Sequence, residues 1–186
     1  MKLQIIGLDH ETQWRDETGD FRKLLLGLAN QEKPQLIAEE AFSLPTTVAQ
    51  RLSWGIDVPW LDIDFAFKLR TKTLPNHGIK DMPEPDIDGN YSSRTIIYSK
   101  YKQKPRENCW LHQIRKHNCD SIWLICGLMH VYSLSEKLGD CDVHCVRVWE
   151  MDWYKEKWGK FILSNDGAAT TAVWTPAPKD GEGHCL

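Results

Sequence analysis

An α/β fold with a mostly parallel sheet and flanking helices is what this sequence predicts, and three observations lead there. Short apolar runs alternate with stretches of helical periodicity, the pattern of crossover connections and parallel strands. The 186 residues suit one domain, and 41% hydrophobic content can fill a core without disulfide or metal staples. A charged fraction of 26% with net charge −3 is ordinary for a folded chain and argues against global disorder.

The first strand is Leu3–Leu8, an apolar run ended by polar Asp9-His10-Glu11. Phe21, Leu24, Leu25 and Leu28 then repeat at helical spacing, so one helix is expected from about Thr12–Asp16 to Asn30, with Pro34 barring continuation. Gln35–Ala38 is a second buried strand, stopping at Glu39-Glu40. Pro45 suits a first helical turn, with Val48, Ala49 and Leu52 facing inward; Val58–Ile63 is a third strand with Trp60 in the core. From Leu74 to Pro105 the pattern dissolves into prolines, glycines and acids, an irregular insertion or lid. Arg106–Lys116 is a helix with Trp110, Leu111 and Ile114 on one face, and Ser121–Cys126 a fourth strand. Ser133-Leu134-Ser135-Glu136 reads as a capping box opening a short helix that Gly139 closes, and Val143–Trp149 as a fifth strand. Beyond Ser164 the composition reads as a poorly ordered tail, so the expected organisation is one domain over 1–163 and a tail over 164–186.

Several functional classes are excluded at this level. A pI near 6.2, with basic residues clustered only at Lys100–Arg106, gives no case for nucleic acid. The longest apolar stretch, Ile122–Val131, is short of the ~18 residues a membrane span needs. The start turns polar too soon for a signal-peptide core, so a cytoplasmic location and reduced cysteines are expected. No C-x-x-C pair occurs among the six cysteines; Cys141, Val143 and Cys145 alternate as one face of a buried strand. Tryptophans 14, 54, 60, 110 and 123 are expected in the core or a pocket wall.

The chemistry gathers on a four-residue echo. Gly7-Leu8-Asp9-His10 and Gly127-Leu128-Met129-His130 each follow a buried strand, and parallel strands end on one edge, where ligands of open α/β folds bind. Glycine permits a tight turn and close approach, and the histidine can reach back over the edge. Glu39-Glu40 brings a carboxylate to the same edge; strand alternation lets only one of the two enter the site. Two imidazoles and a carboxylate suit a divalent metal such as zinc, manganese, cobalt or iron. They equally suit a metal-free site with a histidine general base. Asp62 or Asp64 can orient a histidine or cap a helix over Phe65–Arg70. Arg106 can bind a carboxylate or stabilise an oxyanion.

These residues, with the Arg106-Glu107-Asn108-x-Trp110 helix start and the block Cys126-Gly127-x-x-His130-Val131, resemble the TraB/Tiki superfamily over roughly Leu3–Val148. That group is similar in layout to the erythromycin-esterase and ChaN-like proteins. The resemblance implies an α/β domain and one of three activities: metal-dependent peptidase, macrolide esterase or haem binding. It matches His10 and His130 to the family histidines, Glu39 or Glu40 to the family glutamate and Arg106 to the arginine near the site. Leu74–Pro105 has no counterpart there. The expected function is a metal-dependent hydrolase of a small molecule or peptide. Its divalent metal would be held by His10, His130 and Glu39 or Glu40, with Glu39, Glu40, Arg106 and His130 as catalytic candidates. The alternative is a small-ligand or haem-binding module using the same cleft without turnover.

Overall fold

The computed structural model describes residues 1–41, 46–64, 94–165 and 169–175. Five parallel strands form its central sheet: β1 (Lys2–Leu8), β2 (Leu36–Glu39), β3 (Trp60–Asp62), β5 (Ser121–Gly127) and β6 (Asp142–Arg147). Their order is β3-β2-β5-β1-β6. The inner strands are mostly apolar because helices cover both faces: Ile5, Ile6 and Leu8, Leu36, Ile37 and Ala38, and Ile122 to Cys126 are all buried. In register, Leu8 faces Gly127 and Glu39 faces Ile125, so β1, β2 and β5 end side by side.

The single helix expected after β1 is two, α1 (His10–Trp14) and α2 (Asp20–Gln31). Gly19 turns the chain between them at φ 73°, a conformation that favours glycine. Asp16 supplies the cap, its carboxylate accepting from the backbone N–H groups of Phe21 (3.3 Å) and Arg22 (2.8 Å). Apolar periodicity does not register this break because the whole stripe from Phe21 to Leu28 lies in α2, and the residues that α1 buries, Thr12 and Gln13, are polar. Helix α3 (Val48–Ile56) is capped by Thr47, whose Oγ1 accepts from the Gln50 N–H at 3.1 Å; Pro45 lies outside the described residues.

Several expectations for the rest of the chain are corrected. Within Leu74–Pro105, residues 94 onward are regular: strand β4 (Arg94–Ser99) runs straight into helix α4 (Lys100–Arg115), which contains Pro105. Nor does order stop at Ser164. After α6 (Asp152–Trp158), β7 (Lys160–Asn165) and β8 (Ala169–Thr175) pair antiparallel, and β8 pairs with β4 to give a second sheet of order β4-β8-β7. Helix α5 (Val131–Lys137) begins directly after the 3-10 turn Leu128–His130, so Ser133 lies inside it and is not its cap. Cys141, Val143 and Cys145 are only half-buried, because β6 is an edge strand. Trp110 and Trp123 are core as expected, whereas Trp54 is 65% exposed. Among the described residues, no helix is long and apolar enough to cross a membrane.

Candidate active site

Four strand ends deliver the site. Asp9 caps α1 by accepting from the Thr12 N–H (2.8 Å) and hydroxyl (2.7 Å), which sets His10 at the first position of that helix, over the end of β1. The extended backbone of β2 then decides between its two glutamates. Glu39 turns toward β3 and α3, where its Oε2 accepts from Thr47 Oγ1 (2.5 Å) and Trp60 Nε1 (2.7 Å). Glu40 turns the other way, and its Oε2 accepts from the Gly127 N–H at 2.8 Å. Gly127 is where the backbone must come close: a Cβ there would lie 3.3 Å from His10 Nε2 and 3.4 Å from Glu40 Oε2.

Glu40 Oε1 is the point of convergence. It lies 2.5 Å from Arg106 Nη2, 3.6 Å from His130 Nε2 and 3.8 Å from His10 Nε2. The Glu40 side chain is fully buried, that of His130 is 5% exposed and that of His10 31%, so His10 forms the solvent side of the cluster. Burial raises the pKa of Glu40. The charges that His130 and His10 carry when protonated, the Arg106 guanidinium and the Gly127 N–H outweigh burial and hold the group below the ordinary carboxylate range. Paired with the Arg106 guanidinium, Glu40 stands as an anion.

Helix α4 brings Arg106 over the end of β5. Its Nε donates to Asp64 Oδ1 (2.8 Å), which also accepts from Trp110 Nε1 (3.1 Å), and the guanidinium lies over the Trp110 ring at 4.8 Å. Asp64 thus holds the arginine rather than a histidine. Asp62 accepts from the Asp64 N–H at 2.9 Å, and the helix expected over Phe65–Arg70 lies outside the described residues. Trp110 also touches the His130 ring, with centroids 4.7 Å apart at 53°.

Each histidine has its Nδ1 engaged away from the centre. His10 Nδ1 is 2.9 Å from Gln13 Oε1 and His130 Nδ1 is 2.8 Å from Glu107 Oε1. Glu107 Oε1 belongs to a carboxylate and accepts, so His130 Nδ1 donates and in a neutral ring its Nε2 is then the basic nitrogen; the Gln13 amide can turn its oxygen or its NH2 to His10 Nδ1. Glu107 stands in the helix-start motif, but no sequence pattern points to a role for it at the site. Its adjacency to Arg106 is visible in the chain, but its reach to His130 depends on α4 crossing the end of β5.

Of the residues expected at the site, His10, Glu40, Arg106 and His130 come together, and Glu39 does not join them. Burial pushes the Glu39 carboxyl up to about 7, against the lowering effect of its bonds from Thr47 and Trp60. Among the described residues, no three His, Cys, Asp or Glu side chains are arranged to hold a metal ion. A cleft lined by Lys2, Gln4, Glu32, Ser121, Asp142 and His144 lies at the opposite end of the strands and shares no residue with this site. The fold and site define an α/β protein with a buried anion, two imidazoles and an arginine at the carboxyl edge of a parallel sheet. Compared with protein families, curated proteins and solved structures, the chain has no match.

Proposed function

We propose that the chain is a hydrolase acting on an ester or amide carbonyl of a small molecule or peptide, with His10 as general base. The observation that carries this reading is the approach of two imidazole Nε2 atoms and a guanidinium to one buried carboxylate oxygen. His10 is the base because it is the more exposed imidazole and its Nδ1 is held by Gln13, which leaves Nε2 toward the centre. A water at its Nε2 gives up a proton there as its oxygen bonds to the carbonyl carbon. The Glu40 anion stabilises the imidazolium that forms. Charge developing on the carbonyl oxygen faces Arg106, which Asp64 and Trp110 hold in place. Breakdown of the adduct expels the alcohol or amine, and the proton returns from His10 to it.

A divalent metal is the other arrangement the resemblance implies. His10 Nε2, His130 Nε2 and Glu40 Oε1 would be its donors. Arg106 does not fit that arrangement: its Nη2 is 2.5 Å from the oxygen the ion would need, and two cations at one oxygen repel. Catalysis in this reading rests on the chain's own groups alone.

The test is a screen of carboxylic esters, lactones and peptides with the wild type, His10→Ala, His130→Ala and Glu40→Gln, each with chelator and with added divalent ions. Turnover that survives chelation and is lost in His10→Ala and Glu40→Gln is expected. Turnover that appears only with a stoichiometric metal would replace this reading by the metal-dependent one. Ligand or haem binding with no turnover of any substrate would replace it by the binding module.

A further inference from the structure

His130 is the less exposed of the two imidazoles, and everything around it bears on which nitrogen carries its proton. On the Nδ1 side stands Glu107, fully buried, with Oε1 2.8 Å away. The other oxygen of Glu107 is taken by two donors from the next turns of α5, Ser133 Oγ at 2.6 Å and Lys137 Nζ at 2.5 Å. An ammonium has no lone pair, so this oxygen position must be an acceptor whatever residue stands at 107. The carboxylate meets that demand and still offers Oε1 to the ring. On the other side, Nε2 faces Glu40 Oε1 at 3.6 Å, and Trp110 lies against the ring.

We propose that Glu107 is a positioning residue that locks neutral His130 as the Nδ1–H tautomer, so that an Nε2 lone pair, not an N–H, faces Glu40 and the reaction centre. This rests on the hydrolase reading for its functional meaning, though not for its test. Ser133 and Lys137 form the second half of the device, fixing the carboxylate that fixes the ring. The ionised state this requires agrees with Glu107 itself: burial raises its pKa, but His130, Lys137 and Ser133 outweigh burial and keep it below the ordinary range.

The isosteric variant E107Q turns the device against itself. Lys137 forces the amide oxygen to its own side, which leaves the amide NH2 pointing at His130 Nδ1. That nitrogen must then accept, and the proton moves to Nε2. Long-range proton–nitrogen NMR of the 15N-labelled full chain reads the two tautomers directly, with His130→Gln assigning the ring. The expected result is Nδ1–H in the wild type and Nε2–H in E107Q, at a pH where the ring is neutral and with a dispersed amide spectrum in both. A merely structural role for Glu107 would alter stability without exchanging the two nitrogens. An Nε2–H wild type, or an E107Q that keeps Nδ1–H, would overturn the proposal. If E107Q does not fold, the wild-type tautomer decides alone, by the same criterion. The measurement needs no substrate. An exchange of tautomer with no hydrolysis by the wild type upholds the positioning role and removes the hydrolase reading. Hydrolysis with no exchange does the reverse. Where both stand, E107Q lowers kcat at least tenfold with KM little changed.

Discussion

Gly7 and Gly127 open the same four-residue motif but answer to different neighbours. A Cβ on Gly7 would collide with Val131 Cγ2 and lie 2.7 Å from Trp149 Cζ3, both in the core, so Gly7 is a packing glycine. Gly7→Ala is expected to cost about 1–3 kcal/mol in urea denaturation, the usual range for overpacking. Gly127→Ala meets His10 and Glu40 instead, and the part-exposed His10 ring can yield by a few tenths of an ångström. Its stability cost should stay under ~1 kcal/mol, while any hydrolysis falls because the displaced ring is the base. Equal stability costs at the two positions would contradict this division. Arg106 is bound to two carboxylates of almost complete burial, Glu40 and Asp64. Arg106→Met removes the cation that pairs with both, at a cost of about 3–5 kcal/mol. Protonation relieves that cost, so the deficit measured at pH 4 should be smaller than at pH 7. The motif echo, the strand ends and Arg106 were legible in the sequence because each is local. Which glutamate enters the site was not, since a one-residue shift in where β2 starts exchanges their faces.

At the scale of elements, Glu39 joins three of them. From β2 its carboxylate reaches Thr47, the N-cap of α3, and Trp60, the first residue of β3. With its folded pKa raised from 4.5 to about 7, the folded state binds the extra proton between those values. Stability contributed here is full below pH 4.5 and is lost as pH rises through 7. The contribution is at most roughly 3 kcal/mol, since each tenfold gain in proton affinity is worth about 1.4 kcal/mol. Glu40 and Glu107 have their pKa values moved the other way, so their contributions disappear only below about pH 4.5 and do not mask the trend. Thermal unfolding between pH 5 and 8 should show the midpoint falling for the wild type, and Glu39→Gln should flatten that part of the curve. An unchanged slope in Glu39→Gln would mean that another group titrates. The central strands were legible because parallel strands buried on both faces are continuous apolar runs. The second sheet was not. Thr170, Thr171 and Ala172 are small, and β8 acquires its partners from β4 and β7, distant and adjacent in sequence.

At the scale of the molecule, that second sheet bears on the site. Strand β4 ends at Ser99 and α4 begins at Lys100, so whatever holds β4 also holds the helix carrying Arg106 and Glu107. Strand β8 is the middle of its sheet: Ala172 pairs with Ile96 on one side and with Leu163 on the other, and is fully buried. The sheet is tied to the main core in turn. Phe161 and Leu163 pack against that core, and Trp174 Nε1 donates to the Trp158 carbonyl at 2.7 Å. One cooperative unit follows, in which the two sheets unfold together. Ala172→Pro removes a ladder N–H from a central strand, where proline has no place. The expected cost is about 3 kcal/mol or more, read in urea as a single transition moved to lower denaturant with its slope kept. Tryptophan fluorescence and far-ultraviolet circular dichroism should report the same midpoint, because Trp110 and Trp123 lie in the main core. Two separated transitions, with the core midpoint at its wild-type value, would show that the second sheet folds apart. The site would then depend on α4 through its own contacts with the core and not through the strand that precedes it.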